Sequence, residues 1–158
     1  VAVDYKTERS TMANASDSDI FISLHHNAMP YPSATGIVSF YYQYEPEYQS
    51  KINQKYHNDG SRIANSAYLT KLIHNNMIQA DHQFYPNNPA RDHGVQSSSY
   101  SVIRETKVPS TLLEFGFVDT WNDYNKLSTP AYQDTLVNAV ANGIQTYFNN
   151  VYNKLSGK

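Results

Sequence analysis

The stretch Ile20-Phe21-Ile22-Ser23-Leu24-His25-His26-Asn27-Ala28 opens apolar and closes polar. Its first six residues read as a strand with apolar side chains on both faces, the pattern of a strand lying in a parallel or mixed sheet between helices. Two imidazoles and an amide follow where that strand would leave the core. In α/β sheets ligands gather beyond the carboxyl ends of strands. Adjacent strand residues face opposite ways, so His25 and His26 do not both reach one metal ion without a kink. One of them reads as a metal ligand and the other as a supporting residue. A hydrogen-bonded structural histidine is the alternative for either.

Working outward, Thr7 to Ala15 suits a short helix, and Ser16 to Asp19 form a turn. Pro30, Pro32 and Gly36 bound a loop, after which Gly36 to Tyr42 reads as a second strand. Gln43 to Asp59 is polar, Tyr-rich and undecided between structures. Ser61 is a plausible cap for a helix running to about Met77, although its apolar residues wrap almost all the way round. Gln79 to Ser99 reads as a long polar loop, and Ser101 to Ile103 as a short strand. Thr111-Leu112-Leu113-Glu114-Phe115 is a stronger strand. The last helix is the clearest element: Thr129 caps it, Pro130 takes its first position, and Leu136, Val140, Ile144, Tyr147, Phe148 and Val151 recur at three- and four-residue spacing. Strands interleaved with helices predict an α/β domain with a mostly parallel or mixed central sheet.

Composition removes several function classes. The net charge is −2 and the twelve Lys and Arg are scattered, so no basic stripe marks a nucleic-acid partner. No apolar run approaches the roughly 18 residues of a membrane span. Without any cysteine, disulfides, thiolate zinc sites and thiol nucleophiles are out, and a metal would rest on His and carboxylates. Charged residues are 16%, below the roughly 25% of an average domain, and 14 Tyr help fill the gap. Such a polar, weakly charged surface suits uncharged polymers such as glycans, though compositional drift in an extracellular protein is the simpler account.

Glu114 is the second anomaly. A carboxylate inside an apolar strand must be paired, metal-associated or protonated. A salt bridge to Arg104 is the bland alternative. His57, His74 and His82 stand in polar surroundings and are expected at the surface. Tyr41, Tyr42, Tyr44 and Tyr48 suit either stacking on a sugar or packing along a strand edge.

Four blocks together resemble the zinc-dependent N-acetylmuramoyl-L-alanine amidases of the amidase-3 group. Ser23 to Ala28 resembles that family's S-[IL]-H-x-N-A signature, and Val102 to Phe117 its V-L-R-E-T-x-V-P-x-x-L-[LV]-E-x-G-F block. Asp92-His93-Gly94-Val95 sits where the family commonly has Asp-Arg-Gly-Val, and Arg9 with Ala13-Asn14 matches its R-x-x-x-A-N helix end. The resemblance implies an amidase-3-like (zinc exopeptidase-like) fold, Zn2+ as cofactor, His25 as a zinc ligand and Glu114 as the catalytic carboxylate. Asn27, His93 and Arg104 are the candidate substrate contacts inside the matching blocks. For Asn27 a turn role remains open, and for His93 a place on the metal.

The implied activity is hydrolysis of the amide between N-acetylmuramic acid and the L-alanine of peptidoglycan, by a secreted or wall-associated autolysin of a bacterium or phage. Two alternatives stay in view: a non-catalytic peptidoglycan-binding or regulatory remnant of an amidase, and a zinc peptidase acting on the stem peptide. The family's other two zinc ligands, in a D-x-G-H-G-G strand end and on the next helix, belong upstream of the block matching Glu8, and no such motif occurs in this chain. Residues 1–158 therefore read as a single amidase catalytic domain that is N-terminally incomplete, consistent with its opening on Val1-Ala2-Val3-Asp4.

Overall fold

A computed structural model describes residues 5–30, 33–47 and 58–155. Among them the chain runs α1 (Tyr5–Ala15), β1 (Phe21–Asn27), β2 (Ile37–Tyr41), α2 (Gly60–Phe84), β3 (Asp92–Ser97), α3 (Ser101–Arg104), β4 (Ser110–Phe117), α4 (Trp121–Leu127) and α5 (Pro130–Leu155). The strands form one mixed sheet in the order β1-β4-β2-β3. β1 pairs parallel with β4 and β2 parallel with β3, while β2 and β4 run antiparallel. The expected α/β class holds.

β4 has a neighbour on each side, and its burial on both faces follows. β1 departs from expectation. Among the described residues it lies at an edge of the sheet; Ile22 packs on the main core and Phe21 on the smaller cluster, but Leu24 is left 61% exposed.

α2 is capped by Asp59, two residues before the expected Ser61. The Asp59 carboxylate accepts from the backbone N–H of Ser61 and Arg62 and from the Ser61 hydroxyl, which turns Ser61 into a donor instead of the cap. The helix continues to Phe84, beyond the predicted Met77, so part of the expected loop is helix and a further part is β3. Its all-round apolar character has a physical reason: α2 packs against α5 on one side and against β2, β3 and β4 on the other. The main core of Leu69, Ile73, Met77, Leu113, Leu136 and Tyr147 lies in this layer. A smaller cluster of Tyr42, Val102, Ile103 and Leu112 covers the opposite face of the sheet. Tyr42 is thus a core residue sitting under the Arg62 guanidinium, not an exposed stacking platform; Tyr48 lies outside the described residues.

Gly143 lets α2 and α5 approach closely. A Cβ there would stand 2.7 Å from the Ile73 Cα and 3.0 Å from its backbone nitrogen. Backbone atoms cannot swing aside as a flexible side chain does. Gly143→Val is therefore expected to cost about 1–3 kcal/mol despite a slightly better helix propensity, read as a lower urea midpoint. An unchanged midpoint would show that the two helices part freely.

Candidate active site at the ends of β1 and β4

The parallel register places His25 directly beside Glu114, Ser23 beside Leu112 and Phe21 beside Ser110. Paired strand positions share a face, so the imidazole and the carboxyl project from the same side of the sheet. The register then slips, and Asn27 pairs with Phe117. The extra residue falls in β4, where Gly116 takes φ +152°, and a Cβ there would press on Asp123 and Leu127. A bulge of this kind ends regular pairing and re-aims the residues beside it. Glycine two residues after Glu114 is what permits it.

Glu114 is 8% exposed, and its Oε2 is buried with no hydrogen-bond partner among the described residues. Burial raises its pKa from 4.5 to about 7. The salt bridge to Arg104 does not form. Arg104 Nε donates to Glu105 Oε1 at 3.0 Å and its terminal nitrogen to the Ser99 carbonyl at 2.6 Å, so this guanidinium is committed away from the site. His25 is half-buried, with Nε2 2.7 Å from the Ser23 hydroxyl. Its pKa is lowered, first by burial and then by the charges of Arg9 and His26. His25 therefore favours the neutral, electron-donating ring. His26 points to the other face, 6.0 Å from the Phe115 ring, as strand alternation required.

The Asn27 side-chain oxygen accepts from the Ala28 N–H at 2.9 Å, and its carbonyl accepts from the Val118 N–H at 2.9 Å. His93 lies at the same end of the sheet, because the start of β3 pairs with the start of β2 and β2 runs against β4. Its Nε2 is 2.8 Å from the Thr35 carbonyl and its ring meets Phe117 edge-on. No hydrogen bond, ion pair or ring contact joins it to His25 or Glu114.

Several site-shaping residues carry no obvious mark in the sequence. Asp123, buried in α4, accepts from the N–H of Gly36 at 2.7 Å and of Phe117 at 3.0 Å, which clamps the start of β2 to the end of β4. Asp119 accepts from the Met29 N–H at 2.8 Å and joins the loops that leave β1 and β4. His74 is buried, contrary to expectation, in a chain running from Ser39 Oγ (2.9 Å) to Asp92 Oδ1 (2.8 Å). Its polar sequence neighbours face solvent while its own helix position faces the sheet. His82 is exposed as expected, and His57 lies outside the described residues.

The Arg9-to-Asn14 block also finds a reason. Asn14 donates to the Glu105 carbonyl at 2.9 Å and accepts from the Lys107 N–H at 2.8 Å, fastening α1 to the segment that leads into β4. An open groove of about 1070 Å³ runs between α1 and β1, lined by Arg9, Met12, His25 and Val118 among others.

The sequence profile of the N-acetylmuramoyl-L-alanine amidase family, amidase-3, matches residues 3–146. The chain belongs to that family. An uncharacterized protein of Bacillus subtilis strain 168, YqiI, is 29% identical over 141 residues, which is 89% of this chain and 57% of that one. The sporulation-specific N-acetylmuramoyl-L-alanine amidase of the same organism is 30% identical over 142 residues, 90% of this chain and 45% of that one. The crystal structure of the N-acetylmuramoyl-L-alanine amidase from Clostridium difficile 630 superposes with a TM-score of 0.70 at 24% identity, over 90% of this chain and 64% of that one. The amidase-3 fold is thereby shown, and the chain spans less than two thirds of each of these relatives.

Amidase-3 membership brings zinc into question, and the donor set answers in part. A catalytic zinc takes three protein ligands. Among the described residues no group of three His, Cys, Asp or Glu side chains is gathered to hold a metal. The described residues alone do not fit a zinc ion.

Proposed function

We propose that this chain hydrolyses the amide joining N-acetylmuramic acid to L-alanine in peptidoglycan. The observation that carries the proposal is the register pair His25–Glu114, with a desolvated carboxyl whose Oε2 has no partner among the described residues. A carboxyl held near pKa 7 is matched to moving protons at neutral pH. In its ionised form Glu114 takes the proton of a water attacking the amide carbonyl. The tetrahedral intermediate then collapses, the C–N bond breaks, and Glu114 returns that proton to the departing L-alanine nitrogen. The products are the lactyl carboxylic acid and a free amino terminus. Asn27 and His93 shape the mouth of the site through their backbone and loop contacts.

Zinc belongs to the same proposal, with His25 as one ligand and the others supplied from outside the described residues. The protein acts on the wall polymer and is secreted or wall-associated. No helix among the described residues is long and apolar enough to cross a membrane.

Digestion of purified walls followed by mass spectrometry tests the reaction: new L-alanine amino termini with intact glycan strands are expected. Cuts inside the stem peptide would establish a peptidase instead. A second reading, a wall-binding remnant without catalysis, is favoured by the lack of a three-donor cluster among the described residues. Zinc stoichiometry separates the two. His25→Ala is expected to lower zinc occupancy at least about tenfold, and undiminished occupancy would remove His25 from the metal.

A further inference from the structure

The chain's single tryptophan is spent on the surface. Trp121, the first residue of α4, is 76% exposed, and its ring stacks on that of Tyr124, itself 49% exposed, with centroids 6.2 Å apart and planes 20° from parallel. Val118 and Met29 are exposed beside the same loops. A scattered exposed apolar residue needs no explanation, but a large stacked aromatic pair among other exposed apolar side chains does.

The backbone that carries the pair is held by bonds that reach the candidate site. The Val118 N–H donates to the Asn27 carbonyl at 2.9 Å, the Met29 N–H to Asp119 at 2.8 Å, and the Thr120 hydroxyl to the Ala34 carbonyl at 2.7 Å. The Tyr124 N–H closes the first turn of α4 on the Thr120 carbonyl. Segment 118–121 is thus tied to the end of β1 that carries His25, and Val118 itself lines the groove beside His25. The Trp121 ring rests on Tyr124, and its backbone stands three residues from Val118, which lines the groove.

We propose that Trp121, backed by Tyr124, is a stacking platform for an N-acetylhexosamine ring of the glycan strand, a subsite next to the catalytic pair. An uncharged sugar ring presents C–H groups from one face, and these pack against an aromatic face; a ring fixed by a neighbour loses little side-chain freedom on binding. A protein partner is the competing occupant. The polymer is favoured by the bonds that tie segment 118–121 to the end of β1 carrying His25 and by the low charge of the chain. This inference rests on the peptidoglycan reading for its ligand but not on the hydrolytic step.

Peptide-free strands of alternating N-acetylglucosamine and N-acetylmuramic acid, titrated into the full chain under selective tryptophan excitation, are expected to shift the Trp121 emission saturably. Trp121→Ala is expected to raise the Kd for these strands by about tenfold, Tyr124→Ala by less, and Trp121→Phe to keep most of the affinity. With walls as substrate, Trp121→Ala should raise KM and leave kcat. A silent tryptophan, an equal response to dextran, or unchanged strand affinity in Trp121→Ala would overturn the platform. Assayed in parallel, L-alanine release accompanied by a silent tryptophan refutes the platform alone. Saturable strand binding without release supports the platform and refutes the amidase reading.

Discussion

Glu114→Gln is expected to lower amide hydrolysis by about 10³-fold while leaving the fold and wall binding intact, because positioned proton transfer contributes on the order of 10²–10⁴. The exchange removes the titratable oxygen with almost no change in volume. It breaks no salt bridge, since Arg104 is paired with Glu105. Near-normal hydrolysis by the variant would dismiss Glu114 as the proton carrier. The same variant has a second signature, in stability. The carboxyl sits near 4.5 in the unfolded chain and at about 7 in the folded one. Ionisation is therefore harder in the native state, and the folded protein binds the extra proton between those values. Stability is greatest below the lower value, falls as pH rises from about 4.5 to 7, and levels off above, with a total loss of at most about 3 kcal/mol. Gln does not titrate. Urea unfolding at pH 5 and pH 8 should show this drop in the wild type and a smaller one in Glu114→Gln; parallel behaviour would mean Glu114 is not desolvated. Catalysis has the opposite slope, rising toward pH 7 as the base ionises, so activity grows where the carboxyl costs stability.

What the sequence revealed and what it hid divide along physical lines. Glu114 was legible because a carboxylate in an apolar strand violates the burial rule, and β4 was legible because it is enclosed on both faces. β1 was readable as a strand, but its place at the sheet edge was not, since an apolar run reports affinity for a core and not which neighbours supply it. α3 was misread as a strand: Val102 and Ile103 favour extended structure, yet the N–H groups of Ile103, Arg104 and Glu105 turn back onto Tyr100 and Ser101, and Ser110 caps the Ile103 carbonyl from β4. Tertiary partners decided a four-residue segment that propensity does not decide. α4 left no trace, because only Asp123, Lys126 and Leu127 are buried in it and two of these are charged. Periodicity arguments look for apolar stripes. α4 is held to the sheet by a carboxylate instead.

The largest loss of stability is expected from Asp81→Ala. Asp81 is 0% exposed near the end of α2, and three elements converge on it. One oxygen accepts from the Lys126 ammonium of α4 at 3.1 Å and from the Tyr132 hydroxyl of α5 at 2.7 Å, and the other accepts from the backbone N–H of Ala90, just before β3. Lys126 is almost fully buried with its ammonium 4.8 Å from the centre of the Tyr85 ring. Burial and then the bond to Asp81 raise the Tyr132 pKa, so its hydroxyl stays a donor. Removing the carboxylate strands a buried cation, a hydroxyl and a backbone N–H together. Leaving one partner of a buried pair unmatched costs about 3–5 kcal/mol, whereas replacing both partners by apolar groups is often near neutral. Asp81→Ala should therefore lower the urea midpoint severely, and Asp81→Leu with Lys126→Met should recover much of the loss. If the double variant is as unstable as the single one, the network is needed for its geometry and not for mutual neutralisation. The consequence reaches the site, because α4 is the element whose Asp123 fixes Phe117 and Gly36. Partial loosening of the Asp81 network should then lower hydrolysis before the chain unfolds, by freeing the end of the strand that carries Glu114.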